Sequence, residues 1–178
     1  QNEVVKSYME LNKPDSARIY LAARLLSERG DKIVLNCMMA ETYIPEGQED
    51  SAFVFLDRAM KSYKEKAKNY QKQGREAILP NCFLSPCYLF ADLLWKKGKI
   101  QQASQYYMIV EPLMKERVKT PVRMELQIKA LTNFSSFCRE TKQYEKALDL
   151  LARRDSVLQT YLEFKAKNDK KNYAERLK

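Results

Sequence analysis

The sequence predicts an all-α protein built from antiparallel helix pairs and followed by a long C-terminal helix. Three observations lead there. The 178 residues include only 4 Gly and 6 Pro, fewer than the turns of an all-β or Gly-looped α/β fold require. Apolar residues recur at helical spacing along most of the chain. One pattern of bulky and small residues returns four times: a bulky residue beside a small one, a gap, a turn, then an Ala followed by a bulky residue.

The first and weakest copy holds Tyr8, Pro14, Ala17 and Leu21, and predicts helices near 3–11 and 14–28. The second holds Met39-Ala40, Tyr43, Gly47, Ala52, Leu56 and Ala59, with helices near 32–44 and 50–73. Asp50-Ser51 offers an N-cap to the latter helix. Along it, Leu56, Ala59, Met60, Tyr63, Ala67 and Tyr70 form an apolar stripe, and Lys61, Lys64, Lys68 and Lys72 line another face. Pro80 is expected to interrupt the segment that follows.

The third copy holds Phe90-Ala91, Leu94, Gly98, Ile100, Ala103 and Tyr107, with helices near 86–97 and 101–117. Ser85-Pro86 reads as a capping hydroxyl before a first-turn Pro, and Pro112 should kink or break the second helix. The fourth holds Phe134-Ser135, Cys138, Lys142, Tyr144, Ala147 and Leu151, with helices near 122–140 and 143–152 and a Thr120-Pro121 start. In each copy the small residue and the Ala let two helices approach closely. From Asp155 a further helix runs to the C-terminus, apolar at Val157, Leu158, Tyr161, Leu162 and Phe164, then Lys-rich. The division is therefore a repeat array over 1–154 and a capping or linker helix over 155–178. The start at Gln1 and the end at Lys178, inside a helical pattern, point to a processed or excised segment.

Composition narrows the chemistry. Charged residues make up 31% and the hydrophobic set 45%, which excludes a disordered chain, and no apolar run approaches the length of a membrane span. The chain has no His, so imidazole-based nucleophilic or metal chemistry is excluded. Its glycines are isolated, so no phosphate-cradling loop exists. Glu46, Glu49 and Asp50 share a loop without the alternation of a calcium site. No catalytic residue, metal or cofactor is expected. Cys37 and Cys138 fall on apolar helix faces, whereas Cys82 and Cys87 are close enough in sequence to form a local disulfide in an oxidising compartment. The net charge is +9, and its densest run, Arg58 to Arg75, holds seven basic residues and one acid. That run lies opposite the apolar stripe and lacks interleaved aromatics, so it reads as a solvated face and not as a nucleic-acid surface.

The repeated spacing resembles the tetratricopeptide repeat over roughly residues 7–151, most closely in Trp95-Lys-Lys-Gly98-Lys-Ile100-Gln-Gln-Ala103 and Lys142-Gln-Tyr144-Glu-Lys-Ala147-Leu148. The resemblance implies a right-handed superhelix of helix pairs, an α-solenoid whose first helices line a concave groove. Carried onto this sequence, the groove residues are Glu41, Ile44, Tyr88, Asp92, Trp95, Thr132, Ser136 and Arg139. They imply a peptide or protein partner. The Lys-Pro-Asp-Ser-Ala start of the helix after the first turn, the lengthened Tyr-rich repeats and the final helix from Tyr161 resemble the sensory regions of Bacteroidetes two-component histidine kinases. That resemblance implies a non-catalytic sensor domain on the periplasmic side of the inner membrane, in a membrane-anchored parent. The last helix would lead toward the output domain and offer a route to a homodimer. The alternatives are a freestanding cytoplasmic tetratricopeptide adaptor and the sensor region of a membrane-bound transcriptional regulator.

Overall fold

A computed structural model describes residues 2–27 and 30–176, with side chains from residue 3 to residue 168. The described residues are all-α. Four helix pairs follow one another: α1 (Asn2–Glu10) and α2 (Pro14–Leu26), α3 (Lys32–Tyr43) and α4 (Glu49–Lys72), α5 (Leu84–Lys96) and α6 (Ile100–Lys115), α7 (Pro121–Glu140) and α8 (Tyr144–Arg176). Short 3₁₀ turns at Ile44–Glu46 and Asn81–Phe83 precede α4 and α5.

One turn design closes all four pairs. A residue in the left-handed conformation follows the first helix: Asn12 at φ 54°, Gly47 at 68°, Gly98 at 76° and Lys142 at 61°. The next amide then bonds the carbonyl five residues back: Lys13 to Tyr8, Gln48 to Tyr43, Lys99 to Leu94 and Gln143 to Cys138, all within 2.8–3.2 Å. This is the Schellman closure, which satisfies carbonyls the helix end leaves open. Five residues after each left-handed position stands an alanine, Ala17, Ala52, Ala103 or Ala147, and all four are buried. The missing Cβ branches there allow the two helices of a pair to touch.

Several local expectations are corrected. α4 begins at Glu49 after Gln48, so Asp50 and Ser51 lie in its first turn and do not cap it. There Glu49 and Asp50 act on the helix dipole. α5 starts at Leu84, which puts Pro86 in its first turn, where its missing N–H is no loss. Pro112 lies inside α6 without ending it. The carbonyl it cannot bond belongs to Met108, which is 59% exposed and open to water. The expected stop near residue 152 is absent: α8 is a single helix of 33 residues that passes the 154/155 division without interruption.

The chain divides into two compact units, residues 1–110 and 111–178, with the boundary inside α6. In the first, α3 is central and packs against α2, α4 and α5. A core of Val5, Ala17, Leu21, Leu35, Met38 and Met39 joins α1, α2 and α3. Arg18 ties α2 to the end of α3. Its guanidinium donates to the Thr42 hydroxyl (3.2 Å), the Thr42 carbonyl (2.6 Å), Glu46 (2.6 Å) and Asp15 (3.0 Å), and lies 4.0 Å from the Tyr43 ring centre. Glu49 at the head of α4 bonds Lys97 (3.1 Å) and Lys99 of the third turn, and these lysines hold its carboxyl below the usual range. In the second unit, α7 lies along α8, with Val118, Met124 and Tyr161 at the core and Ile128, Val157 and Leu158 against them. The Tyr161 hydroxyl donates to Glu125.

Candidate functional site

In the first unit, the expected groove residues are carried by α3, the 3₁₀ turn after it, and α5, and α3 and α5 pack together. Glu41 on α3 lies near Ser85 at the start of α5, which lowers its carboxyl slightly. Burial dominates its environment and pushes its carboxyl up to about 7. Tyr88 lies one turn beyond Ser85, and burial pushes its phenol up to about 12, with the Glu41 and Asp92 charges adding to the effect. Asp92 pairs with Lys96 at 2.7 Å, and both Asp92 and Trp95 are half-buried.

Two of the expected groove residues do not face solvent. Ile44 is 7% exposed and falls in a 3₁₀ turn after α3, where it turns inward. Tyr88 is 4% exposed, so almost none of its surface is open to a ligand. Glu41, Asp92 and Trp95 keep part of their surface open.

The proposed local disulfide is not formed. All four cysteines are free thiols. The neighbour that acts most strongly on the Cys82 thiol is Cys37 of α3, not Cys87. That contact holds the Cys82 thiol below its ordinary range and, together with burial, pushes Cys37 up. Burial also pushes Cys87 up and sets Cys138 near 11. Sequence proximity was a poor guide here because Cys87 sits inside α5, facing the core, while Cys82 lies in the turn before it.

In the second unit, Thr132, Ser136 and Arg139 occur one helical turn apart on α7. Together with Ser135 they form one wall of a cavity of about 400 Å³. Tyr144, Leu148, Leu151 and Arg154 of α8 form the other. The Thr132 hydroxyl is engaged by its own helix, donating to the Ile128 carbonyl at 2.8 Å. Arg139 is exposed and makes no ion pair among the described residues, whereas Arg154 is bound to Asp155 at 2.6 Å. The sequence pattern did not reveal the α8 wall, because Tyr144 and Leu148 occupy positions that read as the packed side of the repeat. They are in fact 58% and 66% exposed.

The tetratricopeptide repeat family model matches residues 84–108, which cover α5 and the first half of α6. The array is tetratricopeptide-like. No curated protein and no solved structure matches the chain. The matched stretch contains Tyr88, Asp92 and Trp95, three of the expected groove positions, together with the Gly98 turn and the buried Ala103. No group of His, Cys, Asp or Glu among the described residues is arranged to hold a metal ion, and no described helix is long and apolar enough to cross a membrane. The basic run of α4 lies on its exposed side, with Lys61 paired to Asp57 at 2.7 Å.

Proposed function

We propose that this chain is a non-catalytic, protein- or peptide-binding helical-repeat domain serving as the periplasmic sensor region of a membrane two-component signalling protein, a histidine kinase. The observation that carries the binding role is the tetratricopeptide match over 84–108, because such repeats generally mediate protein–protein interaction. Glu41, Asp92 and Trp95 offer a partner an acidic and aromatic strip along α3 and α5. Thr132, Ser136 and Arg139 offer a second, basic one on α7. A partner that binds one arrangement of the array better than another would shift its population, and α8, continuous from Tyr144, would carry that shift onward.

Selection of random peptides on the purified chain tests the binding role. Selected peptides should change Trp95 fluorescence on titration, and Trp95→Ala should weaken them more than tenfold while thermal stability changes by only a few degrees. Failure to enrich any peptide, or equal binding by the variant, overturns the groove assignment. The sensor role is tested by an alkaline phosphatase fusion placed after Lys178 of the parent protein in its own host. Phosphatase activity places the domain outside the inner membrane. An inactive but stable fusion overturns that placement.

A further inference from the structure

Two thiols from distant parts of the sequence meet where α3 faces the start of α5. Cys37 lies on α3, and Cys82 lies in the 3₁₀ turn Asn81–Phe83, which packs against α3. The same register repeats one helical turn away: Glu41, four residues after Cys37, lies near Ser85, three residues after Cys82. Each thiol of the pair is the neighbour that acts most strongly on the other. Their accessibility differs. Cys37, Cys87 and Cys138 are at most 1% exposed, whereas Cys82 keeps part of its surface open. The turn that carries Cys82 is also the less constrained of the two sides. Residues 75–80 before it form no helix or strand, while α3 is held by α2, α4 and α5. The turn can therefore make the small adjustment that the geometry of a sulfur–sulfur bond demands.

The surroundings give the two sulfurs unequal roles. The Cys37 contact holds the Cys82 thiol below its ordinary range, against burial and the Asp31 and Glu41 carboxylates, which oppose a thiolate there. Cys82, burial and the charges of Cys87 and Glu41 keep Cys37 protonated. The thiolate is the attacking form in thiol–disulfide exchange, so the accessible Cys82 enters first. The same carboxylates disfavour an anionic reagent. We propose that Cys37 and Cys82 form a redox pair that takes a small uncharged disulfide as its oxidant and closes into a bond fastening α3 to the turn before α5. The Cys82 thiolate attacks one sulfur of the reagent, forms a mixed disulfide and expels one thiolate, which takes up the proton that Cys82 released. Cys37 then loses its proton, and its sulfur attacks the Cys82 sulfur. The second reagent thiolate leaves and takes up the proton from Cys37. Two protein thiols are thereby oxidised to one disulfide, and one reagent disulfide is reduced to two thiols. The closed loop contains all of α4. This pairing does not depend on what the groove binds.

Treatment of the native full chain with bis(2-hydroxyethyl) disulfide, followed by acid quenching and mass spectrometry, tests the pair. The adduct should appear first on Cys82, and two of the four thiols should then be lost with no adduct retained. Digestion at Phe83, which separates Cys82 from Cys87, should return a Cys37–Cys82 link. The melting temperature should rise by roughly 5–15 °C, the gain expected for closing a loop of this length, and dithiothreitol should reverse the rise. In Cys37→Ala the reaction should stop at a stable mixed disulfide on Cys82. Cys87→Ala should close the bond as the parent chain does. The proposal is overturned if the native chain loses no thiol, if the mixed disulfide persists in the parent chain, if the link joins Cys82 to Cys87, or if the melting temperature does not rise.

Discussion

Lys142 sits at φ 61°, a conformation in which its Cβ crowds the following carbonyl. Gly47 and Gly98 hold the equivalent place in two other turns without that crowding. Lys142→Gly should therefore stabilise the protein by about 1 kcal/mol, since glycine adopts this region freely. The reverse change, Gly98→Ala, should destabilise by about the same amount. An added Cβ at Gly98 meets nothing within 4 Å, so only backbone strain opposes it. Urea denaturation of both variants measures the pair, and opposite signs are required. Glu41 gives a second residue-scale test. Folding raises its carboxyl from near 4.5 to about 7, so the charged form is disfavoured in the folded protein. The resulting penalty is absent below the unfolded value and complete above the folded one. Glu41→Gln should leave stability nearly unchanged at pH 4 and raise it by about 1–3 kcal/mol at pH 8. An equal effect at both pH values would show that burial does not control this carboxyl.

At the scale of elements, the helices and their order were legible because apolar spacing, the scarce prolines and the paired small residues agree on them. Three details were not. The Asp50-Ser51 cap lost to a helix start one residue earlier, where the same acids act on the dipole instead. Asp155-Ser156 reads as a helix start, yet α8 passes through it. No Gly or Pro breaks the chain there, Arg153 pairs back to Asp149, and Val157 and Leu158 are anchored by the α7 core. Asp155→Pro restores the missing break and should lower the melting temperature while cutting helical signal beyond the loss expected for one residue. The third detail is the strut on Arg18, which no local pattern announces because all its partners but Asp15 lie in the next helix pair. Arg18→Ala should destabilise by about 1–3 kcal/mol through the unmet Thr42 carbonyl and the lost contact with Tyr43. Arg18→Lys should recover only part of that, since one ammonium cannot span the same partners. Full recovery by Lys would reduce the strut to simple charge.

For the whole molecule, the repeat was readable because each copy preserves one crossing, whereas several contacts arise where copies meet and sequence spacing says little. Cys82 contacts Cys37 across 45 positions of sequence, and Gln127 closes α6 from the next pair. Both depend on tertiary approach. Ile44 and Tyr88 hold family groove positions, yet a 3₁₀ turn and a tight seam bury them. In such arrays each pair is supported mainly by its neighbours, so damage at one crossing should spread to adjacent pairs. Ala52 is the sharpest probe. It is fully buried at the α3–α4 crossing and sits on the bond that joins its amide to the Gln48 carbonyl at 3.1 Å. Ala52→Leu adds three carbons where none fits and should destabilise by about 1–3 kcal/mol. Because α3 packs against α2, α4 and α5, hydrogen exchange should speed up together in those four helices. Exchange that rises only in α3 and α4 would mean that the pairs in residues 1–110 open independently, and would exclude the neighbour coupling on which the proposed sensor role relies.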